Sequence, residues 1–473
     1  MVFNSIPFIV FILIFFPIYY ALKGNARMIF TLLASYVFYG WWDYRFLALI
    51  AFSTLADFYL SVVIDREQDP RRRKYLLAIS MVVNLAFLGF FKYFNFFIDS
   101  ANDLLGIAGY DRGFNALHII LPVGISFYTF QSMSYTIDVY RRVIEPEKSL
   151  LKFATFIAFF PQLVAGPIVR AVDFLPQLQQ DRKFKWSEFH LGFAQMLVGF
   201  GKKLIIADSL APFVDGVFAF PGNYTSLVLI IGVVFYSFQI YCDFSGYSDI
   251  AIGLARMLGF EFPRNFNMPY FSKSFSEFWE RWHISLSSWL KDYLYIPLGG
   301  NRGGQLKTYR NLMLTMLLGG LWHGANYTFI IWGFLHGAFL IVQRLLNYLK
   351  RIVGLSFSGP VNTLVSIAIV YAFTCLAWIY FRSPDVATAH TVIKGILSFN
   401  NLSFADLPNK FVIIKGVLLI ALLILFELLS LRIDFGSITL RSPAFRTVGF
   451  AVILWMIALL GSFIDSQFIY FQF

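Results

Sequence analysis

Two short stretches of this chain combine residue types that can move protons. One runs Phe278-Trp279-Glu280-Arg281-Trp282-His283-Ile284-Ser285-Leu286-Ser287-Ser288-Trp289-Leu290-Lys291-Asp292-Tyr293, and the other is Trp322-His323-Gly324-Ala325-Asn326. A neutral imidazole, with an unperturbed pKa of ~6.5, can take the proton of a hydroxyl near operating pH. His323 is therefore a candidate general base with Asn326 as a nearby polar partner. The competing reading is a core histidine satisfied by helix carbonyls. His283 is a second candidate, as base or as the group that orients a thioester or an oxyanion, against an interfacial histidine near headgroups. His336, about three turns along the following helix, is expected to pack against a neighbour instead of sharing a reacting centre with His323.

The elements that must position these groups are apolar. The 473 residues are 58% hydrophobic, 19% aromatic and 14% charged, where a soluble domain carries about 25% charged residues. Apolar segments fall near 6–22, 28–42, 46–64, 75–97, 118–139, 151–169, 188–212, 223–241, 248–260, 309–321, 326–349, 362–381, 411–431 and 447–464. Runs of eighteen or more such residues can cross ~30 Å of hydrocarbon. The expected fold is all-α: a polytopic membrane protein of roughly 11–13 spanning or partly inserted helices, forming one integral domain over 1–473. The first run ends in Lys23 and Arg27 and lacks a basic n-region, so it reads as a retained span with the N-terminus outside. Three crossings then place the basic loop containing Arg66, Arg71, Arg72, Arg73 and Lys74 in the cytoplasm. The net charge of +11 fits such loops better than a nucleic-acid partner.

Residues 260–310 differ from the rest, with Pro263, Pro269, Pro297 and Gly299-Gly300-Asn301-Arg302-Gly303-Gly304. Phe278, Trp282, Leu286, Trp289 and Tyr293 recur at three- and four-residue steps, which predicts one amphipathic interfacial helix over 276–295. The run 311–321 predicts a helix of ~17 Å, half a bilayer, with His323 at the turn into the next span and facing an internal cavity. Asp243-Phe244-Ser245-Gly246-Tyr247-Ser248-Asp249 is a third polar island. It is expected to cap a helix, with direct catalysis, orienting a substrate or holding Arg281 as the alternatives. Cys242 and Cys375 have neither zinc nor disulfide spacing, and no metal motif is present in the sequence. The glycine-rich run lacks the Lys-Ser/Thr of a P-loop and reads as a flexible basic turn able to contact an acyl carrier's phosphates.

Several of these stretches together carry a family resemblance. Glu277 to Ser287, Asp292-Tyr293-Leu294-Tyr295-Ile296, Gly299 to Gly303 and Gly319-Gly320-Leu321-Trp322-His323-Gly324-Ala325 resemble the signature of the membrane-bound O-acyltransferases, in the bacterial alginate O-acetyltransferase branch. Leu121 to Tyr128, Ala165-Gly166-Pro167, Asp243 to Asp249, Trp378 to Arg382 and Phe468 to Phe473 extend the resemblance nearly end to end. It implies a helical fold around a funnel or tunnel, a catalytic histidine at His323 and the second family position at His283. It further implies transfer of an acyl group, most simply acetyl from acetyl-CoA with no bound cofactor. The acyl group would cross a bacterial inner membrane towards a polysaccharide, through an extracytoplasmic partner. On that reading Trp282, Trp289 and Trp322 wall the tunnel against water, and Arg281, Lys291 and Arg302 attract the donor's phosphates. Asp243 and Ser245 are further candidates for binding. D-alanyl transfer to teichoic acid from a carrier protein, a transporter and a non-catalytic export component are the alternatives.

Overall fold

The computed structural model describes residues 1–473 except 111–112, 118, 165, 354–358, 464–467 and 470–473. Of the stretches named above, positions 118 and 464, Ala165 and Tyr470 to Phe473 lie outside the described residues. Among those described, the chain is helical and contains no strand. Seven helices are long and apolar enough to cross a membrane: Tyr44–Arg66, Pro70–Ile107, Ser226–Met257, Tyr327–Val353, Pro360–Arg382, Lys410–Ser430 and Pro443–Leu460. Their outer faces carry large apolar side chains, such as Leu364, Leu418 and Trp455, as lipid contact requires.

Contacts divide the chain into two compact units, Met1–Phe193 with Ala251–Pro263, and Ala194–Ile250 with Arg264–Phe473. In the first, the buried carboxylate of Asp57 accepts from Ser80 Oγ at 2.6 Å and Asn84 Nδ2 at 2.8 Å, which ties Leu47–Arg66 to Pro70–Leu88. Interhelical hydrogen bonds of this kind are needed where apolar contact with lipid is as favourable as apolar contact with protein.

The second unit contains the hairpin of Gln305–His323 and Tyr327–Val353. Its helices touch backbone to backbone because small residues face each other. A Cβ on Gly320 would meet the Phe329 carbonyl oxygen at 2.3 Å, and one on Gly333 would meet that of Met316 at 2.4 Å. Gly324, Ala325 and Asn326 make the turn, and Asn326 Oδ1 accepts from Thr328 N at 2.9 Å as the second helix starts.

Three sequence expectations change. The first hairpin helix has 19 residues, ~28 Å, instead of 11, because it starts in the polar stretch around Lys307 and Arg310. The segments 223–241 and 248–260 fuse into the single 32-residue helix Ser226–Met257, so Asp243 and Asp249 sit in mid-helix and cap nothing. The region 276–295 is not one interfacial helix. It breaks into Phe275–Arg281, Ile284–Leu290 and the π segment Lys291–Tyr295, and its stripe residues Phe278, Trp282, Leu286 and Trp289 are buried in protein. Gly333→Leu is expected to wedge the hairpin apart at a cost of roughly 1–3 kcal/mol. A lowered unfolding temperature in detergent would show it, and an unchanged one would contradict the close approach.

Candidate active site

The break at position 283 creates one half of the site. His283 adopts φ 43° and ψ 55°, a left-handed conformation that a non-glycine residue holds only when its surroundings impose it. Asn265 supplies the constraint. Its backbone carbonyl accepts from Ile284 N at 2.9 Å, and its Oδ1 accepts from Ser285 N at 3.1 Å and Ser285 Oγ at 2.9 Å. Its Nδ2 donates to Ser248 Oγ at 3.1 Å.

This clamp assigns a tautomer. A backbone N–H can only donate, so the Asn265 atom facing Ser285 N is the oxygen. The His283 Nδ1 that lies 3.2 Å from the same oxygen must then carry the proton. Nε2 is left as the acceptor nitrogen of a ring that is 0% exposed. His283 lies outside the seven spanning helices, and burial pulls its pKa down to about 3. It is a neutral acceptor throughout the physiological range.

The second half sits at the hairpin turn. His323 ends the Gln305–His323 helix and is 3% exposed. Its ring centre lies 4.9 Å from Trp332, 5.0 Å from Trp322 and 5.2 Å from Phe381. Trp322 also lies 5.9 Å from His283, so one indole touches both histidines. Phe244 stands edge-on to His283 at 4.6 Å, and Trp282 packs on Trp378 at 4.9 Å and Phe266 at 5.0 Å. The result is a packed aromatic cluster around two imidazoles. His336 packs in it as a neighbour of Trp332, Trp279 and Phe278, at 4.7, 5.0 and 5.8 Å.

The other sequence candidates make contacts of their own. Trp289 packs on Tyr293 at 5.1 Å. The amide of Asn326 donates to Pro384 O at 2.8 Å, which ties the turn to the end of the Pro360–Arg382 helix and engages one of that amide's two N–H donors. Arg281 pairs with Glu277 at 2.7 Å and so is not held by Asp243 or Asp249. Lys291 and Arg302 are exposed. Near the glycine-rich run, a cavity of about 510 Å³ is lined by Asn301, Gly304, Gln305, Gln343, Arg344 and Arg351. Its cations come from the Tyr327–Val353 helix, while Arg302 does not line it.

Asp243 belongs to a buried charge network. The ammonium of Lys203 lies 2.7 Å from Asp243 and 2.8 Å from Asp208, and that of Lys202 lies 2.8 Å from Asp249. Both lysines sit in the π segment Gly201–Ala207, just beyond a contact in which a Cβ on Gly199 would lie 2.5 Å from Gly246 O. The other carboxylate oxygen of Asp243 accepts from Ile469 N at 2.9 Å. The neighbouring Ser245 is buried, and its Oγ has no partner among the described residues. Sequence reading missed Asn265, Trp332, Phe381 and the two lysines. For Lys202 and Lys203 there was a signal, adjacent cations inside an apolar run, but nothing in the sequence identified their partners.

Lys203→Met is expected to leave two buried carboxylates unmatched and to destabilise the protein by roughly 3–5 kcal/mol, measured as loss of folded protein and of unfolding temperature. A thermally unchanged variant would contradict the pairing. For His283, the folded pKa lies below its ordinary value of 6.5, so the unfolded chain binds the proton more readily. Its contribution to stability is complete above pH 6.5 and is lost progressively as pH falls towards 3. The expected slope is about 1.4 kcal/mol per pH unit below 6.5, and His283→Gln should flatten the unfolding temperature's pH dependence between 6.5 and 5.

Comparison with known proteins agrees with this architecture. Residues 142–383 match the model of the MBOAT, membrane-bound O-acyltransferase family. A protein of Azotobacter vinelandii named "Probable alginate O-acetylase" is 45% identical over 417 residues, 87% of this chain and 80% of its own length. A peptidoglycan O-acetyltransferase of Helicobacter pylori is 35% identical over 435 residues, 85% of this chain and 81% of its own. A teichoic acid D-alanyltransferase of Bacillus subtilis is 27% identical over 290 residues, 58% of this chain and 71% of its own. With seven helices among the described residues long and apolar enough to cross a membrane, and with this match, the chain is a multi-pass membrane protein that belongs to the membrane-bound O-acyltransferase family, and it is an O-acyltransferase.

Proposed function

We propose that the protein is an O-acetyltransferase of a bacterial inner membrane, moving acetyl from acetyl-CoA towards the hydroxyls of an extracytoplasmic polysaccharide of the alginate type, through a partner protein outside the membrane. The observation that carries this reading is the pair of buried histidines in contact with one indole, in a chain whose 45% and 35% identical relatives are named for O-acetylation of alginate and of peptidoglycan. The more distant relative is named for D-alanyl transfer, so acetyl is the favoured acyl group.

His323 is the general base. It takes the proton of the acceptor hydroxyl as that oxygen attacks the thioester carbonyl, and a tetrahedral oxyanion forms. The C–S bond then breaks, and the leaving thiolate takes the proton back from His323, so the acyl group and one proton change places. His283, neutral and with Nε2 as acceptor, suits orienting the hydroxyl or His323 better than donating to the oxyanion. The indole N–H of Trp332 is buried 4.9 Å ring to ring from His323 and lacks an acceptor among the described residues, which makes it the favoured oxyanion donor. The aromatic walls exclude water, so that a thioester is transferred and not hydrolysed. Arg344 and Arg351 at the 510 Å³ cavity suit the donor's phosphates.

The test is the ester content of cell-surface polysaccharide in a strain carrying His323→Ala. A general base contributes about 10²–10⁴-fold, so acetyl ester should fall to background at normal protein level. Unchanged ester would sink the reading. Supplying labelled acetyl-CoA or a charged carrier protein to membranes identifies the donor, and label entering only from an aminoacylated carrier would favour D-alanyl transfer.

A further inference from the structure

The first unit holds a cavity that the transfer chemistry does not use. It measures about 430 Å³, and four cations, Lys23, Arg27, Lys152 and Arg182, line it with one carboxylate, Asp181. The two guanidinium groups are fixed in place by backbone. Arg27 donates from Nε to Leu22 O at 2.8 Å and from Nη1 to Arg182 O at 2.6 Å. Arg182 donates from Nη1 to Gly259 O at 2.6 Å and from Nη2 to Gln177 O. Each also lies over an aromatic ring, Arg27 over Tyr19 at 5.0 Å and Arg182 over Phe260 at 4.8 Å.

Carbonyl oxygens and ring faces orient a guanidinium but do not cancel its charge. Two carboxylates act on the pair, Asp181 at 3.7 Å from Arg27 and 62% exposed, and Glu261 near Arg182 and likewise exposed, so water weakens both contributions. Arg27 itself is 8% exposed, and the buried Nε of Arg182 has no hydrogen-bond partner among the described residues. A largely unneutralised, rigid pair of guanidinium forks beside two lysines fits a tetrahedral oxyanion with several acceptor oxygens. The cavity lies at the turn between Ile6–Ala21 and Gly24–Gly40, the end of the first apolar helix that its basic residues assign to the cytoplasmic surface. Aromatic rings and methionine border it there, next to lipid headgroup depth.

We propose that this cavity binds a phosphate ester at the cytoplasmic membrane surface, independently of the acyl-transfer site. The phosphate can come from an anionic phospholipid of that leaflet or from a soluble phosphate ester. The experiment uses the full-length protein in phosphatidylcholine nanodiscs. One arm replaces part of the lipid with phosphatidylglycerol, and the other adds inorganic pyrophosphate or coenzyme A. Unfolding temperature and native mass spectrometry are the readouts.

Saturable stabilisation by phosphatidylglycerol, with the lipid retained in the mass spectrum, supports the lipid source. Stabilisation by pyrophosphate or coenzyme A in pure phosphatidylcholine supports the soluble source. In either arm Lys23→Gln and Lys152→Gln, which cut no tie to backbone carbonyls, should each weaken apparent affinity about five-fold. Arg182→Gln should weaken it further, Arg441→Gln, at the end of the helix Phe435–Arg441 and not lining this cavity, should leave it unchanged, and His323→Ala should bind as the parent does. That last comparison separates failure here from failure of the catalytic reading. Absence of saturable binding in both arms, or equal binding by the parent and the Lys23→Gln, Lys152→Gln and Arg182→Gln variants, overturns the proposal.

Discussion

A carboxylate taken into a lipid-solvated protein must meet hydrogen-bond donors or an opposite charge at contact distance, and along the Ser226–Met257 helix Asp243 and Asp249 meet the second kind of partner. Lys202 and Lys203 reach Asp249 and Asp243 because glycines let the helices touch and because a π turn aims two consecutive lysines at carboxylates six residues apart. The same helix then places Phe244 against His283, Tyr241 near Trp282, and Ser248 under Asn265. The ion pairs contribute little net stability of their own, since desolvation offsets most of the attraction. What they specify is which face of a nearly uniform apolar helix turns towards the histidines.

That helix also shows where sequence reading succeeds and where it stops. Apolar run length was enough to establish a helical membrane protein, and the two polar islands hold His283 and His323, whose rings both contact Trp322. Run length failed at Asp243 to Asp249, because polar residues that look like a boundary become interior once a partner forty positions away neutralises them. It failed again at Gln305, where a helix continues through charged residues that a hydropathy pattern assigns to a loop. The three- and four-residue stripe over 278–293 carries no mark of the break at His283. A left-handed residue there leaves the apolar spacing nearly intact, and the constraint that imposes it comes from Asn265, eighteen positions upstream.

The chemistry follows the same division. Residue type alone identified an imidazole able to act as a base, but it left open what each histidine contributes. The roles separate only through the hydrogen bonds around them. Three donors converge on one oxygen of Asn265, and that arrangement commits the proton of His283 to Nδ1. His323 ends its helix among the rings of Trp322, Trp332 and Phe381, so the two histidines sit in differently built surroundings.

The tether from Asn326 to Pro384 has a mechanical consequence. It joins the turn below His323 to the end of the helix that carries Trp378 and Phe381, while the glycine contacts lock the two hairpin helices together. Three helices thus form a stiff frame around the imidazole, with little slack for one to slide past another. A change of ring size at Trp378 or Phe381 is therefore felt by the packed side chains around His323 before a shift of the helices can relieve it.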